Sequence, residues 1–145
     1  MNGMIYKFTV PDVHGKQRGR AFVIRGKKAQ ARVYDPQKNK NFEALVQSRA
    51  YDAGVKILNQ CTVEVAICIP VKVVQLKTKA DRLEEPRRRP DLDNAAKSVC
   101  DALNGIAYKD DKDVLRLMVY YRFLIPPDTQ LRTEVTIREA DWRTQ

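Results

Sequence analysis

Residues 89–105 read Arg89-Pro90-Asp91-Leu92-Asp93-Asn94-Ala95-Ala96-Lys97-Ser98-Val99-Cys100-Asp101-Ala102-Leu103-Asn104-Gly105, and Ile106-Ala107-Tyr108-Lys109-Asp110-Asp111 follow. Pro90 favours an extended entry to Asp91. On an extended segment Asp91 and Asp93 project to one side, because side chains alternate. Asp93 is also a candidate helix cap. Beyond it Ala96, Val99, Cys100 and Leu103 recur at i, i+3, i+4 and i+7, the apolar stripe of a helix. Asn104-Gly105 supplies the stop. Lys97 falls one turn above Asp93, and Asn94 and Asp101 belong to the polar side. Asp110 and Asp111 stand at the mouth of the next strand.

Outward from this stretch the periodicity changes. Val114–Phe123 reads as a strand with Leu115, Leu117, Val119, Tyr121 and Phe123 inward, Pro126-Pro127-Asp128 as a turn, and Leu131–Arg138 as a strand with Leu131, Thr133, Val135 and Ile137 on one face. Upstream, Cys61, Val63, Val65, Ile67 and Ile69 alternate with Thr62, Glu64, Ala66 and Cys68, a strand pattern. Met4–Val10, Arg20–Arg25 and Ala31–Tyr34 read as further strands. Asp35-Pro36 opens a helix, with Asp35 as N-cap and Pro36 at its first position. Phe42, Leu45, Val46, Arg49 and Ala50 keep its spacing, and it stops near Gly54. Within the proline-bounded stretch Val71–Pro90 a short helix over Gln75–Leu83 is expected. Strands outnumber helices. The expected fold is α+β: a single domain over residues 1–145 with one mixed β-sheet and helices packed on one face.

The 145 residues, 43% hydrophobic and 31% charged, suit one globular domain. No apolar run reaches the roughly 18 residues of a membrane span, and Met1–Val10 lacks the pattern of a secretion signal, so a cytoplasmic location is expected. The three cysteines form no C-x-x-C pair, which argues against a disulfide scaffold or a structural zinc site. With His14 the single histidine, two-histidine mechanisms and most zinc catalysis are excluded. A metal used here must take oxygen ligands, which suits Mg²⁺ or Mn²⁺.

The net charge of +9 is unevenly spread. Segments 14–40 and 72–89 together carry sixteen basic and four acidic residues, a net of +12, so the remainder carries −3. Between 91 and 113 six aspartates face three lysines. Basic arms suit a polyanion, and carboxylates within a basic frame suit a metal acting on phosphate. Unpaired carboxylates brought together repel, a cost that a divalent cation removes. Taken singly, Asp91 or Asp93 is equally a helix cap and Asp110-Asp111 a turn.

The order of these residues resembles the RusA family of Holliday-junction resolvases, endonucleases of bacteria, phages and prophages. Basic-Pro-Asp-Leu-Asp-Asn, then Lys, Asp-Ala-Leu-Asn-Gly and a paired Asp-Asp match over residues 89–111. Gly15–Arg20 and Val33–Lys38 echo the family's basic loop and helix start. The resemblance implies that Asp91, Asp93 and Asp111 are the catalytic, metal-binding carboxylates and Lys97 the essential lysine. Asp110 matches the less critical acid of the pair, and Asn94 a supporting residue. Where the family often has a lysine late in the following strand, this chain has Tyr121 with Arg122 beside it, and the basic loop lacks a usual proline.

The expected activity is therefore Mg²⁺-dependent (Mn²⁺ possible) cleavage of branched DNA. Lys16, Arg18, Arg20, Arg87, Arg88 and Arg89 are the candidate DNA contacts. Paired symmetric nicks across a four-way junction call for a homodimer. The competing readings are a non-catalytic nucleic-acid-binding module and a nuclease for flaps or forks.

Overall fold

The computed structural model describes residues 3–15, 22–23, 31–32, 37–75 and 81–144. Strand β4 (Cys61–Pro70) is the axis of the molecule. It pairs in parallel with β7 (Val114–Leu124) and antiparallel with β8 (Arg132–Glu139), which pairs with β1 (Ile5–Val10). The sheet order is β1-β8-β4-β7. A parallel β4–β7 pair needs a crossover, and the segment that makes it carries helix α2 (Leu92–Leu103). Helix α1 (Gln37–Asp52) packs beside α2, and both contribute to one core with the same face of the sheet. The result is a single α+β domain with a mixed sheet, as the patterns require. Two short strands, β2 (Phe22–Val23) and β3 (Ala31–Arg32), fall within the expected strands Arg20–Arg25 and Ala31–Tyr34 and pair antiparallel with each other.

The core follows the alternation. Val63, Val65 and Ile67 of β4, Val135 and Ile137 of β8, and Tyr6, Phe8 and Val10 of β1 are buried under Phe42, Val46 and Ala50 of α1 and Ala95, Val99, Ala102 and Leu103 of α2. On the opposite face Ala66, Cys68 and Leu124 form a smaller buried cluster. The interior position of β4 is therefore written in both halves of its alternation.

Four expectations are corrected. The stretch expected to be helical over Gln75–Leu83 instead contributes to an antiparallel ribbon, β5 (Lys72–Gln75) and β6 (Asp81–Glu84), with Val73 opposite Leu83; β-branched Val73 and Val74 favour the extended backbone. On β7 Leu117 and Phe123 are exposed rather than inward, because β7 is the edge of the sheet. Arg49 and Leu131 are likewise exposed, the latter just before β8 begins. Finally, α2 begins at Leu92, so Asp93 lies in its first turn and is neither its cap nor part of an extended pair with Asp91. The Asp35-Pro36 helix start lies outside the described residues.

Candidate functional site

Helix α2 has two flanks. Ala95, Ala96, Ser98, Val99, Ala102 and Leu103 are buried. Asp93, Lys97 and Asp101, four residues apart, lie along the other flank and line a recess with Cys100. Val114 and Leu117 of β7 form its opposite wall, which is why Leu117 is open to solvent.

Asp111 reaches this recess through the turn that follows α2. Gly105 (φ 80°) adopts the left-handed conformation that ends the helix. Buried Tyr108 donates from its hydroxyl to the Cys100 carbonyl at 2.6 Å, and the Leu58 amide donates to the Ala107 carbonyl at 2.8 Å. The chain then rises as a single 3-10 turn, Asp111–Asp113, into β7. Asp110 caps that turn: its carboxylate accepts from the Lys112 amide at 3.0 Å and its carbonyl from the Asp113 amide at 2.9 Å. Asp110 is thus occupied locally, while Asp111 lines the recess.

Asp91 occupies the N-cap position of α2 (φ −64°, ψ 145°), and its carbonyl accepts from the Ala95 amide at 2.9 Å. Its side chain makes no capping bond. It opens instead on an adjoining recess lined by Glu85, Arg87, Arg89 and Tyr121. Here the Tyr121 hydroxyl donates to the Pro90 carbonyl at 2.7 Å. Arg89 donates to the Pro86 carbonyl at 2.7 Å, pairs with Glu85 at 2.6 Å, and lies 4.6 Å from the ring centre of Tyr121 and 5.4 Å from that of Phe123. Close against Pro90 stands Gly15. A β-carbon there would come within 3.0 Å of the Pro90 Cβ and 3.4 Å of the Asn94 Cβ, so glycine permits this approach. The first basic segment thus begins beside the entry to α2.

The residues expected from the sequence are distributed accordingly. Asp93, Lys97 and Asp111 share one recess, and Asp91 lines its neighbour. Asn94 is half-buried against Gly15. Arg87 and Arg88 are exposed near Lys72 and Glu84, whereas Arg89 is engaged with Glu85, Pro86 and Tyr121. Lys16, Arg18 and Arg20 lie outside the described residues. Tyr121 and Glu85 were not singled out for the parts they play. The signals were the four-residue spacing of Glu85 and Arg89 and the shared face of Tyr121 and Phe123, two residues apart on a strand.

In donor type the recess suits a hard divalent ion, since carboxylate oxygens dominate and no imidazole is near. Its one soft donor, Cys100, has its thiol pushed up to about 11 by burial, with Asp111 and Asp101 adding to the rise against the hydrogen bond with Tyr108. It stays protonated at neutral pH and is a poor nucleophile. In grouping the acids are divided: among the described residues no three Asp, Glu, His or Cys side chains are gathered as a metal centre. The helix itself separates them, since Asp91 and Asp101 are ten residues apart, about 15 Å along the axis.

An α+β domain with an acid-lined recess, a lysine within it and a strongly basic chain suits the class of proteins that act on nucleic-acid phosphates. Comparison with known proteins gives the family. Residues 12–138 match the family described as Endodeoxyribonuclease RusA, and the chain belongs to that family. It is also 37% identical, over 92% of its own length and 96% of the relative's, to "Uncharacterized protein YqaN" of Bacillus subtilis (strain 168). Membership makes the chain a nuclease by family, with DNA as its class of substrate. Among the described residues no helix is long and apolar enough to cross a membrane.

Proposed function

We propose that this protein is a divalent-metal-dependent endodeoxyribonuclease that resolves four-way DNA junctions by paired nicks, acting as a homodimer in the bacterial or phage-infected cytoplasm. The observation that carries the reading is the placement of Asp93, Lys97 and Asp111 in one recess of a chain of this family. Asp93 and Asp111 would hold Mg²⁺ or Mn²⁺, and Asp91, which lines the recess with Arg89 and Tyr121, would be the third ligand. A bound ion supplies Lewis acidity toward a phosphate oxygen and acidifies water. Lys97 makes no ion pair with a described residue, so its ammonium is available to neutralise charge developing on the scissile phosphate. Asn94 supports the first turn of α2. Arg87 and Arg88, together with Lys16, Arg18 and Arg20, draw the phosphate backbone in, and their contacts make binding fall with salt. Two-fold symmetric nicking of a junction requires two identical sites, which a C2 dimer supplies.

The deciding experiment incubates the purified chain with a four-way junction, a fork, a flap and a linear duplex in Mg²⁺ or Mn²⁺, beside Asp93→Asn and Asp111→Asn. Paired nicks on the junction that disappear in both variants, with gel-shift binding retained, are the expected result. Near-normal nicking by either variant overturns the site. Binding without cutting in either metal favours the non-catalytic module, and preferential cutting of forks or flaps moves the substrate.

A further inference from the structure

We infer that Tyr121 and Arg89 form a strut that positions Asp91, and that Arg89, unlike Arg87 and Arg88, is not a phosphate contact. The inference rests on the functional reading of Asp91 and adds two positioning residues to it. Among the described residues Asp91 has no side-chain hydrogen bond or ion pair to fix it, and no capping bond. Its direction therefore depends on the backbone on either side. Downstream the Ala95 amide holds its carbonyl. Upstream lies Pro90, which has no N–H to anchor and a ring-locked φ. The remaining handle is the Pro90 carbonyl, and the Tyr121 hydroxyl takes it at 2.7 Å. Because the peptide unit is planar, gripping that oxygen sets the plane from which the Asp91 Cα emerges. Gly15 also packs close against Pro90.

Arg89 keeps the tyrosine in place. Its guanidinium lies over the ring at 4.6 Å, a cation–π distance, while both of its terminal nitrogens are engaged, one by Glu85 and one by the Pro86 carbonyl. Tyr121 and Phe123 stack with ring centres 5.8 Å apart, so the face Arg89 covers is a two-ring platform. The Arg89 side chain is 24% exposed, whereas Arg87 and Arg88 are exposed to solvent. Turning Arg89 toward DNA would cost two hydrogen-bonded partners and the stack at once. A lysine fits this place poorly, having neither the planar fork nor the flat face.

Tyr121→Phe tests the inference, since it keeps both rings and removes one donor. Hydrogen exchange is followed in peptides covering residues 85–95, alongside junction cleavage and junction binding. Loss of one hydrogen bond should speed exchange there about fivefold. The cleavage kcat should fall about tenfold, with binding and KM held. Arg89→Lys should behave alike, lowering kcat and leaving affinity intact, whereas Arg87→Ala and Arg88→Ala each weaken binding and reduce its salt slope by about 0.9. Unchanged exchange in Tyr121→Phe overturns the strut whatever the enzyme cuts. Weaker binding with unchanged kcat in Arg89→Lys overturns the assignment of Arg89. A wild-type chain that cuts no DNA while Tyr121→Phe still accelerates exchange removes the nuclease reading and leaves the strut in place.

Discussion

On the sheet face away from the helices Glu134 accepts from Arg122 at 2.9 Å and from Arg132 at 3.3 Å, and Arg132 also pairs with Asp128 at 3.1 Å. Tyr120 and Arg122 extend the network toward Glu64. In the recess on the other side of β7, Asp93 and Asp111 make no ion pair with any described residue, although Lys97 lies one turn from Asp93. Among the described residues arginine pairs with acids over β4 and β8, and none lines the recess. Paired acids of the first kind fix a surface. Acids without an ion-pair partner beside a lysine are available to something that arrives from solution.

The sharpest way to break this contrast is to remove one charge from each region. In the recess Asp93→Asn or Asp111→Asn should cut junction cleavage about a hundredfold or more, since ligands of a catalytic ion carry several kcal/mol and each tenfold in rate is about 1.4 kcal/mol. Stability should move by no more than about 0.5 kcal/mol. Asp93 gains from the positive end of α2, but relief of repulsion among the recess acids offsets that loss. Single-turnover cleavage and thermal unfolding of the same samples check both halves. A large drop in stability with activity retained would place these acids with Glu134.

The open face should respond the other way. Burial alone would raise the Glu134 pKa, yet the Cys68 thiol, Arg122 and Arg132 together hold it below the ordinary glutamate range. A carboxylate with a depressed folded-state pKa contributes stability that is complete above its unfolded value and lost as pH falls through the folded one. Glu134→Gln should therefore cost about 0.5–1 kcal/mol at neutral pH, a figure kept small because the pair is partly solvated. The cost should fade in acid as the wild type loses the same charge. Chemical denaturation at neutral pH and below pH 4 measures it, while cleavage should be unchanged. A cost that grows in acid would reverse the sign and refute the pairing.

The same contrast explains what could be read from the chain itself. Strand β4 was legible because Cys61, Val63, Val65, Ile67 and Ile69 keep period two along its length. Helix α2 was legible from its stripe, and with it the recess pair Asp93 and Lys97, which four-residue spacing places on one flank. The position of Asp91 was not. Its separation from Asp93 depends on the helix starting at Leu92, and a helical step turns a side chain by about 100° where a strand step turns it by 180°. The β5–β6 ribbon escaped because its decisive pairing, Val73 with Leu83, lies between strands rather than along one. Nor does local spacing report the Tyr121 bond to Pro90, which joins residues 31 apart. The family resemblance implies roles for Asp91, Asp93, Lys97 and Asp111 but says nothing of the partners that fix them.

The smallest effect lies on the inward flank of α2, where a polar group is treated in a third way. Ser98 is 1% exposed, and its hydroxyl finds no hydrogen-bond partner among the described residues. It is neither matched, like Glu134, nor open to solvent, like Asp93. A buried unpaired hydroxyl carries a desolvation cost of about 1 kcal/mol or more, and alanine is the better helix former. Ser98→Ala removes one oxygen among Ala95, Val99 and Ala102, leaving little void. Stability should rise by about 0.5–1.5 kcal/mol with cleavage unaltered, measured by denaturant titration beside the junction assay. A fall in stability would mean that the hydroxyl is paired, and that α2 is held on its inner flank by a bond as specific as those over β8.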